Sequence, residues 1–236
     1  MAKLKPEHEL EERFSFTMDT LGHDVINNNQ AVLSYLELLL ANPGLSPDVR
    51  KYAHRAVSHV RVSTTLIENM RKIALVRTLT PGELGHADVV EAVRTVSEEL
   101  RDVFPAKKIR VEFAPKVPKA EAVGGAQIKD LVLNMLLDLA MLDSGDEIFI
   151  RVQLKEGADW QLVAEDKNAE LPPLLRTGSI ESIYGQDVSI SAKLSCVLFA
   201  KTMSVALGGD FEAAGLDAGR GRGVRFTLTL RKAGPT

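Results

Sequence analysis

Along the first stretch of the chain apolar residues recur in alternating steps of four and three: Phe14, Met18, Leu21, Val25, Val32, Tyr35 and Leu39, with Asn28 alone interrupting. That period predicts one long helix whose narrow seam packs lengthwise on another helix. Asn42-Pro43-Gly44 ends it, and Ser46 followed by Pro47 offers an N-cap and a first-turn proline for the next. The second helix repeats the seam with Val49, Ala53, Ala56, Val60, Ser63, Ile67, Met70 and Ala74. So short a connection makes the helices antiparallel neighbours, and residues 14–41 and 47–76 read as a helical hairpin. Two narrow stripes cannot close a core alone. The economical solution is a homodimer in which two hairpins form a four-helix bundle.

Thr78 to His86, with Pro81, Gly82 and Gly85, marks a change of pattern. It separates a hairpin domain at 1–77 from a second domain at 86–236, with 78–85 as linker. Val89, Val93, Val96, Leu100 and Val103 have helical spacing, and Ile109 to Phe113 alternates like a strand. An apolar helix is expected at 126–142, strands near 147–154 and 159–165, and an irregular stretch around Pro172 and Pro173. A helix at roughly 189–207 ends at Gly208-Gly209, and two last strands near 210–213 and 223–231 flank a Gly-Arg-Gly-Arg-Gly turn. The fold class is therefore α+β: a helical hairpin followed by an α/β sandwich with helices over one face of a mixed sheet.

Composition narrows the function classes. Of 236 residues, 45% are hydrophobic and 26% charged, ordinary for a globular protein. A net charge of -3 gives no broad basic field for nucleic acid. The single cysteine, Cys196, excludes an internal disulfide framework or a cysteine-rich zinc site and reads as a core thiol. No apolar run approaches the roughly 20 residues that span a bilayer, so no membrane partner and a cytoplasmic location are expected.

One cluster on the first helix carries candidate chemistry. His23 lies two positions from both Leu21 and Val25, which turns its ring off the seam towards solvent. Asp24 adjoins it, and Asn27, four residues on, shares its face. A neutral imidazole is a competent nucleophile near pH 7 when one nitrogen holds the proton and the other attacks. Asp24 is placed to hold that proton and stabilise the imidazolium that develops, and Asn27 to orient a water or a transferring phosphoryl group. His54 and His59 have no partner at catalytic or metal spacing and read as surface or flank residues.

An exposed His-Asp-x-x-Asn on a helical hairpin, followed by a domain of this element order, resembles the transmitter core of sensor histidine kinases. The resemblance covers nearly the whole chain and implies a dimerising hairpin with a phosphorylated His23, helped by Asp24 and, in dephosphorylation, by Asn27. The family often has a proline one place further on, where this chain has Asn28. The following domain would be of the Bergerat (GHKL) type that binds ATP. Its helix from Gln127 to Leu142 resembles the one carrying two asparagines: Asn134 fits the first, and Asp138 stands at the second, a magnesium ligand in the family. The family's Asp-x-Gly-x-Gly reads Asp166-Lys167-Asn168-Ala169-Glu170, which keeps the adenine-recognising Asp166 and loses both glycines. A second glycine pair is replaced by Leu194 and Cys196, where side chains intrude on the approach of helix amides to phosphate. Gly219 to Leu230 resembles the closing turn and last strand.

The resemblance, with those losses, leads to a histidine-kinase-like phosphotransfer protein of a two-component or phosphorelay pathway. His23 would exchange a phosphoryl group with the aspartate of a response-regulator receiver domain, and no cofactor is expected in the degenerate second domain. One alternative is an ATP-dependent autokinase with Mg²⁺ held by Asn134 and Asp138 and adenine met by Asp166. Another is a non-catalytic dimeric scaffold that binds or sequesters a regulator and never carries phosphate. Outside any nucleotide site, Asn134, Asp138 and Asp166 read as helix-surface and strand-end polar residues. The stimulus, any upstream sensor or kinase, the identity of the receiver and the direction of phosphate flow stay open.

Overall fold

A computed structural model describes residues 6–76, 84–176, 180, 192–217 and 222–234, with side chains described for these except 6–15, 18, 19, 74–76 and 192–195. The side chains of the seam positions Phe14, Met18 and Ala74 and of Leu194, together with linker residues 78–83, helix positions 189–191 and Gly219 to Gly221, lie outside the described residues. The chain divides into two compact units, Met1–Leu79 and Thr80–Thr236.

The first unit is a hairpin of α1 (Pro6–Leu40) and α2 (Pro47–Val76). Its corner forms as the local sequence requires. Pro47 opens α2 with the Val49 N–H donating to Ser46 Oγ at 3.4 Å. The Arg50 guanidinium donates to the Leu40 and Asn42 carbonyls at 2.8 and 2.9 Å, satisfying acceptors that the end of α1 leaves open.

The stripe of α1 that packs on α2 differs from the expected seam by one residue. Leu21, Val25, Val32, Tyr35 and Leu39 are exposed, at 53%, 39%, 44%, 73% and 41%. Covered instead are Gly22, Ile26, Asn29, Leu33, Leu36 and Leu40, also in steps of four and three. The physical reason is that this inner stripe includes a glycine and an asparagine, which a count of apolar residues passes over. Gly22 lets α2 come close: a Cβ there would stand 2.9 Å from Arg71 Cδ and 3.2 Å from Ile67 Cγ2. Asn29 Nδ2 donates to Thr64 Oγ1 at 3.0 Å and lies 3.4 Å from Ser63 Oγ, fixing the register of the two helices. The two stripes side by side make a wide apolar face. Half of it meets α2, and the other half is exposed among the described residues of the hairpin.

The second unit is a two-layer α/β sandwich. Its elements run β1 (His86–Asp88), α3 (Val89–Val103), β2 (Lys108–Phe113), β3 (Glu121–Val123), α4 (Gln127–Leu142), β4 (Glu147–Glu156), β5 (Trp160–Glu170), α5 (Pro173–Arg176), α6 (Ala192–Ala206), β6 (Asp210–Gly215) and β7 (Arg222–Leu230). The main sheet has the order β2-β4-β5-β7-β6, with β2 and β4 parallel and the other neighbours antiparallel. Strands β1 and β3, too short to show a period, form a separate antiparallel pair. Asp88 anchors that pair to α3, its Oδ1 accepting from the N–H groups of Val90 at 3.0 Å and Ala120 at 2.9 Å.

Helices α3, α4 and α6 cover one face of the sheet, with α4 packed between the other two. Burial on nearly every side of α4 follows from its apolar composition. Strand β4 turns Ile148, Ile150 and Val152 inward and exposes Glu147, Phe149, Arg151 and Gln153. Charges cross the open face as cross-strand pairs, Glu112 with Arg151 at 3.4 Å and Glu165 with Arg225 at 2.5 Å. No helix among the described residues is long and apolar enough to cross a membrane.

Candidate functional site

His23 projects from α1 into solvent, its side chain 70% exposed, as is that of Asp24. Backbone geometry dictates this, because the residues on either side are committed: Gly22 is covered by α2, and Leu21 and Val25 lie on the outer apolar stripe. The ring Nδ1 is 3.4 Å from Asp24 Oδ1, the long end of hydrogen-bond range, so the carboxylate accepts from Nδ1–H in the tautomer protonated there. In that tautomer the Nε2 lone pair is the one that can attack. Asn27 Nδ2 stands 3.2 Å from Nδ1 and 3.3 Å from Nε2, nearly equidistant and committed to neither. The chain thus brings His23, Asp24 and Asn27 together as one exposed polar group of an imidazole, a carboxylate and an amide.

The other three candidates lie inside the second unit. Asn134, Asp138 and Asp166 are buried, at 0%, 0% and 1% exposure, which overturns their reading as helix-surface and strand-end polar residues. The Asn134 amide donates to the Asp130 carbonyl at 2.8 Å, back along α4. Asp138 has no hydrogen-bond partner for either oxygen among the described residues. Its carboxyl is held well above the ordinary range by burial, a shift only partly opposed by the neighbouring Cys196 thiol. Cys196 is pushed far up in turn, by burial first and by Asp138 second. It is a core thiol, as expected.

Asp166 sits in β5, which continues through the altered glycine motif to Glu170 with a register shift between Asp166 and Glu170. The bulge folds the Asn168 and Ala169 N–H groups back onto Asp166 Oδ1, at 2.8 and 3.2 Å. Oδ2 has no partner. Burial raises the Asp166 carboxyl, the Asn168 N–H opposes the shift, and Asp143 raises it further.

Asp143 was not singled out by the sequence. It follows α4, is 3% exposed, accepts from the Gly145 N–H through Oδ1 at 2.7 Å and has Oδ2 unpartnered. Asp-Ser-Gly after an apolar helix signals a turn, and nothing in that signal says the turn points inward. Gly22 was missed for a related reason, since only the packing of α2 reveals its use.

A Mg²⁺ site needs ionised oxygens open to the ion and to phosphate. Asp138, enclosed beside Cys196 with burial disfavouring its charged form, does not fit that role, and the Asn134 amide is turned to its own helix. No group of three or more His, Cys, Asp or Glu side chains arranged to hold a metal occurs among the described residues.

Compared with solved structures, the chain is similar to full-length ShkA in complex with AMPPNP, at 17% identity and a TM-score of 0.57 over 93% of this chain. It spans 46% of that chain, under half its length. It is also similar to the histidine kinase AdeS of Acinetobacter baumannii, at 16% identity and TM-score 0.50, over 89% of this chain and 96% of the other. The nucleotide-free catalytic domain of the histidine kinase ThkA matches 64% of this chain and 96% of its own, at 16% identity and TM-score 0.50. No protein-family model matches the chain, and neither does any curated protein. The fold is that of the histidine kinases of known structure.

Proposed function

We propose that this chain is a dimeric phosphotransfer protein in which His23 exchanges a phosphoryl group with the aspartate of a response-regulator receiver domain. The observation that carries the reading is the exposed His23 with Asp24 at Nδ1 and Nε2 left as the attacking atom. In the forward step the Nε2 lone pair forms an N–P bond while the P–O bond of the receiver's aspartyl phosphate breaks and its electrons return to the carboxylate. Asp24 holds the Nδ1 proton and offsets the positive charge that grows on the ring. Asn27, on the same face, orients water for hydrolysis of the phosphorylated ring.

The outer stripe of α1 supports the dimer. Leu21, Val25, Val32, Tyr35 and Leu39 form a contiguous apolar row that is exposed among the described residues of the hairpin, and a second copy bearing the same row is self-complementary to it. Buried Asp138, with its charged form disfavoured, and buried Cys196 at a family glycine position support a second domain that works without ATP. Asn134 and Asp166 would then serve the domain's interior, and no phosphoryl step runs through them.

The test is incubation with a receiver domain phosphorylated by acetyl phosphate. Label on the wild-type chain and none on His23→Ala is expected; equal label on both, or none on either, overturns the proposal. Calorimetric titration with ATP and Mg²⁺ addresses the autokinase alternative, and micromolar binding would establish it over the relay.

A further inference from the structure

Strand β2 has a single neighbour, β4, so its other side is a free sheet edge among the described residues. Beside it lies a concavity of ≈590 Å³ lined by four cations, Arg101, Lys107, Lys108 and Arg110, against one acid, Glu147, and the ring of Phe149. Such a basic cluster runs against the chain's overall charge of -3.

The cations are not equivalent. Lys107 is committed to the Ala140 and Asp143 carbonyls, at 3.1 and 2.6 Å, and Lys108 to Glu147 at 2.7 Å. Arg110 lies over the Phe149 ring, 5.8 Å from its centroid, with no hydrogen bond or ion pair among the described residues, and the same holds for Arg101 at the end of α3. Phe149 is 39% exposed, and Val205 is the only other large apolar side chain exposed in the second unit among the described residues.

Basic residues on an edge strand hinder pairing with further copies, which explains Lys108 and Arg110. Two features are left over. Arg101 comes from a different element and still lines the same concavity, and a large aromatic ring is kept in contact with water beside it. Arginine with an exposed aromatic ring is the composition of an interface anchor.

We propose that this edge receives an acidic extended segment of a protein partner. Its carboxylates would pair with Arg101 and Arg110, and its backbone would continue the sheet beyond β2. The period fits. Lys108, Arg110 and Glu112 occupy alternate positions of β2, on the face that carries Phe149 of β4. An added strand presents every second side chain at the same spacing. An acid beside Arg110 is therefore favoured, Lys108 being held by Glu147, and the position opposite Glu112 rejects an acid, setting the register. A compact anion would satisfy the arginines without using the backbone of β2.

The test uses the full chain and a short fluorescein-labelled peptide alternating glutamate with threonine, read by anisotropy at low salt. Saturable binding is expected, weakened tenfold or more by Arg101→Ala with Arg110→Ala, both exposed positions whose replacement leaves the circular dichroism unchanged. A version interrupted by proline, which cannot continue the sheet, should bind at least tenfold more weakly. Amide NMR shifts should be confined to β2 and the end of α3. Equal binding of the proline peptide, full competition by inorganic tripolyphosphate at equal charge, or no binding to the wild type would each overturn the proposal.

Discussion

Arg71 of α2 crosses α1 at Gly22, its Cδ 2.9 Å from where a Cβ would stand, one residue before the exposed His23. The contact sets how closely α2 approaches the helix that presents the ring. Gly22→Ala gains helix propensity of about 1 kcal/mol. It also requires Arg71 to bend away and Ile67 Cγ2, at 3.2 Å, to give slightly. The two effects offset, so thermal unfolding of the helical signal should move little. Gly22→Leu has no such escape, and overpacking should destabilise the hairpin by about 1–3 kcal/mol. An unchanged melting curve for Gly22→Leu would mean that the helices are further apart than described.

Dimerisation through the outer stripe has a direct assay. Leu21→Asp and Val32→Asp each place a charge in a row that is exposed in the single chain and buried in the proposed pair. Sedimentation velocity should show the wild type as a dimer at micromolar concentration and both variants as monomers, with helical content kept because neither side chain faces α2. Replacing Leu33, on the inner stripe, should lower helicity instead. Variants that still dimerise would move the interface elsewhere.

How much of this was legible in the sequence depends on which residues carried the signal. Period and caps placed both long helices, α3, α4 and the order of strands, because alternation and helical spacing are properties of the chain itself. His23 could be turned to solvent from Leu21 and Val25 alone. The partner stripe could not, since Gly22 and Asn29 pack by small size and by hydrogen bonding to Thr64, neither of which scores as hydrophobic. For the same reason Asn134 and Asp138 looked like surface residues of α4. Nothing local announces that a helix is buried on its polar side as well. Strand β5 runs on to Glu170 past the expected end at 165, through a register shift at which the Asn168 and Ala169 N–H groups donate to the Asp166 carboxylate, an irregularity that alternation does not signal.

Asp24 and Asn27 touch the same ring and should fail differently. Asp24→Asn leaves an amide that no longer stabilises the growing charge, and phosphoryl exchange should slow by about 10²-fold or more. Asn27→Ala leaves the Asp24 contact at Nδ1 intact. Exchange should then hold within a few fold while phospho-His23 decays several-fold more slowly, as the water loses its anchor. Rapid-quench measurement of transfer and of spontaneous decay separates the two. Slowed exchange with both variants and no change in decay would reduce Asn27 to an orienting role.

Asp138 ties the interior of the second unit to pH. Burial raises its carboxyl when the chain folds, and the unfolded chain has no such burial. Between the ordinary carboxylate value and the raised one, the folded state keeps a proton that the unfolded state has released. Stability from this group is therefore fully present below the ordinary value and declines as pH rises through that window, by about 1.4 kcal/mol per pH unit. Asp166, also raised, acts in the same direction, with the Asn168 N–H opposing it. Trp160, buried in β5 and the sole tryptophan, reports unfolding of this unit. Urea titrations followed by its fluorescence from pH 4 to pH 8 should show Asp138→Asn with a flatter pH dependence than the wild type and a higher midpoint at pH 8. Parallel curves for the two proteins would mean that Asp138 is ionised in the folded chain, and the case for magnesium at that position would reopen.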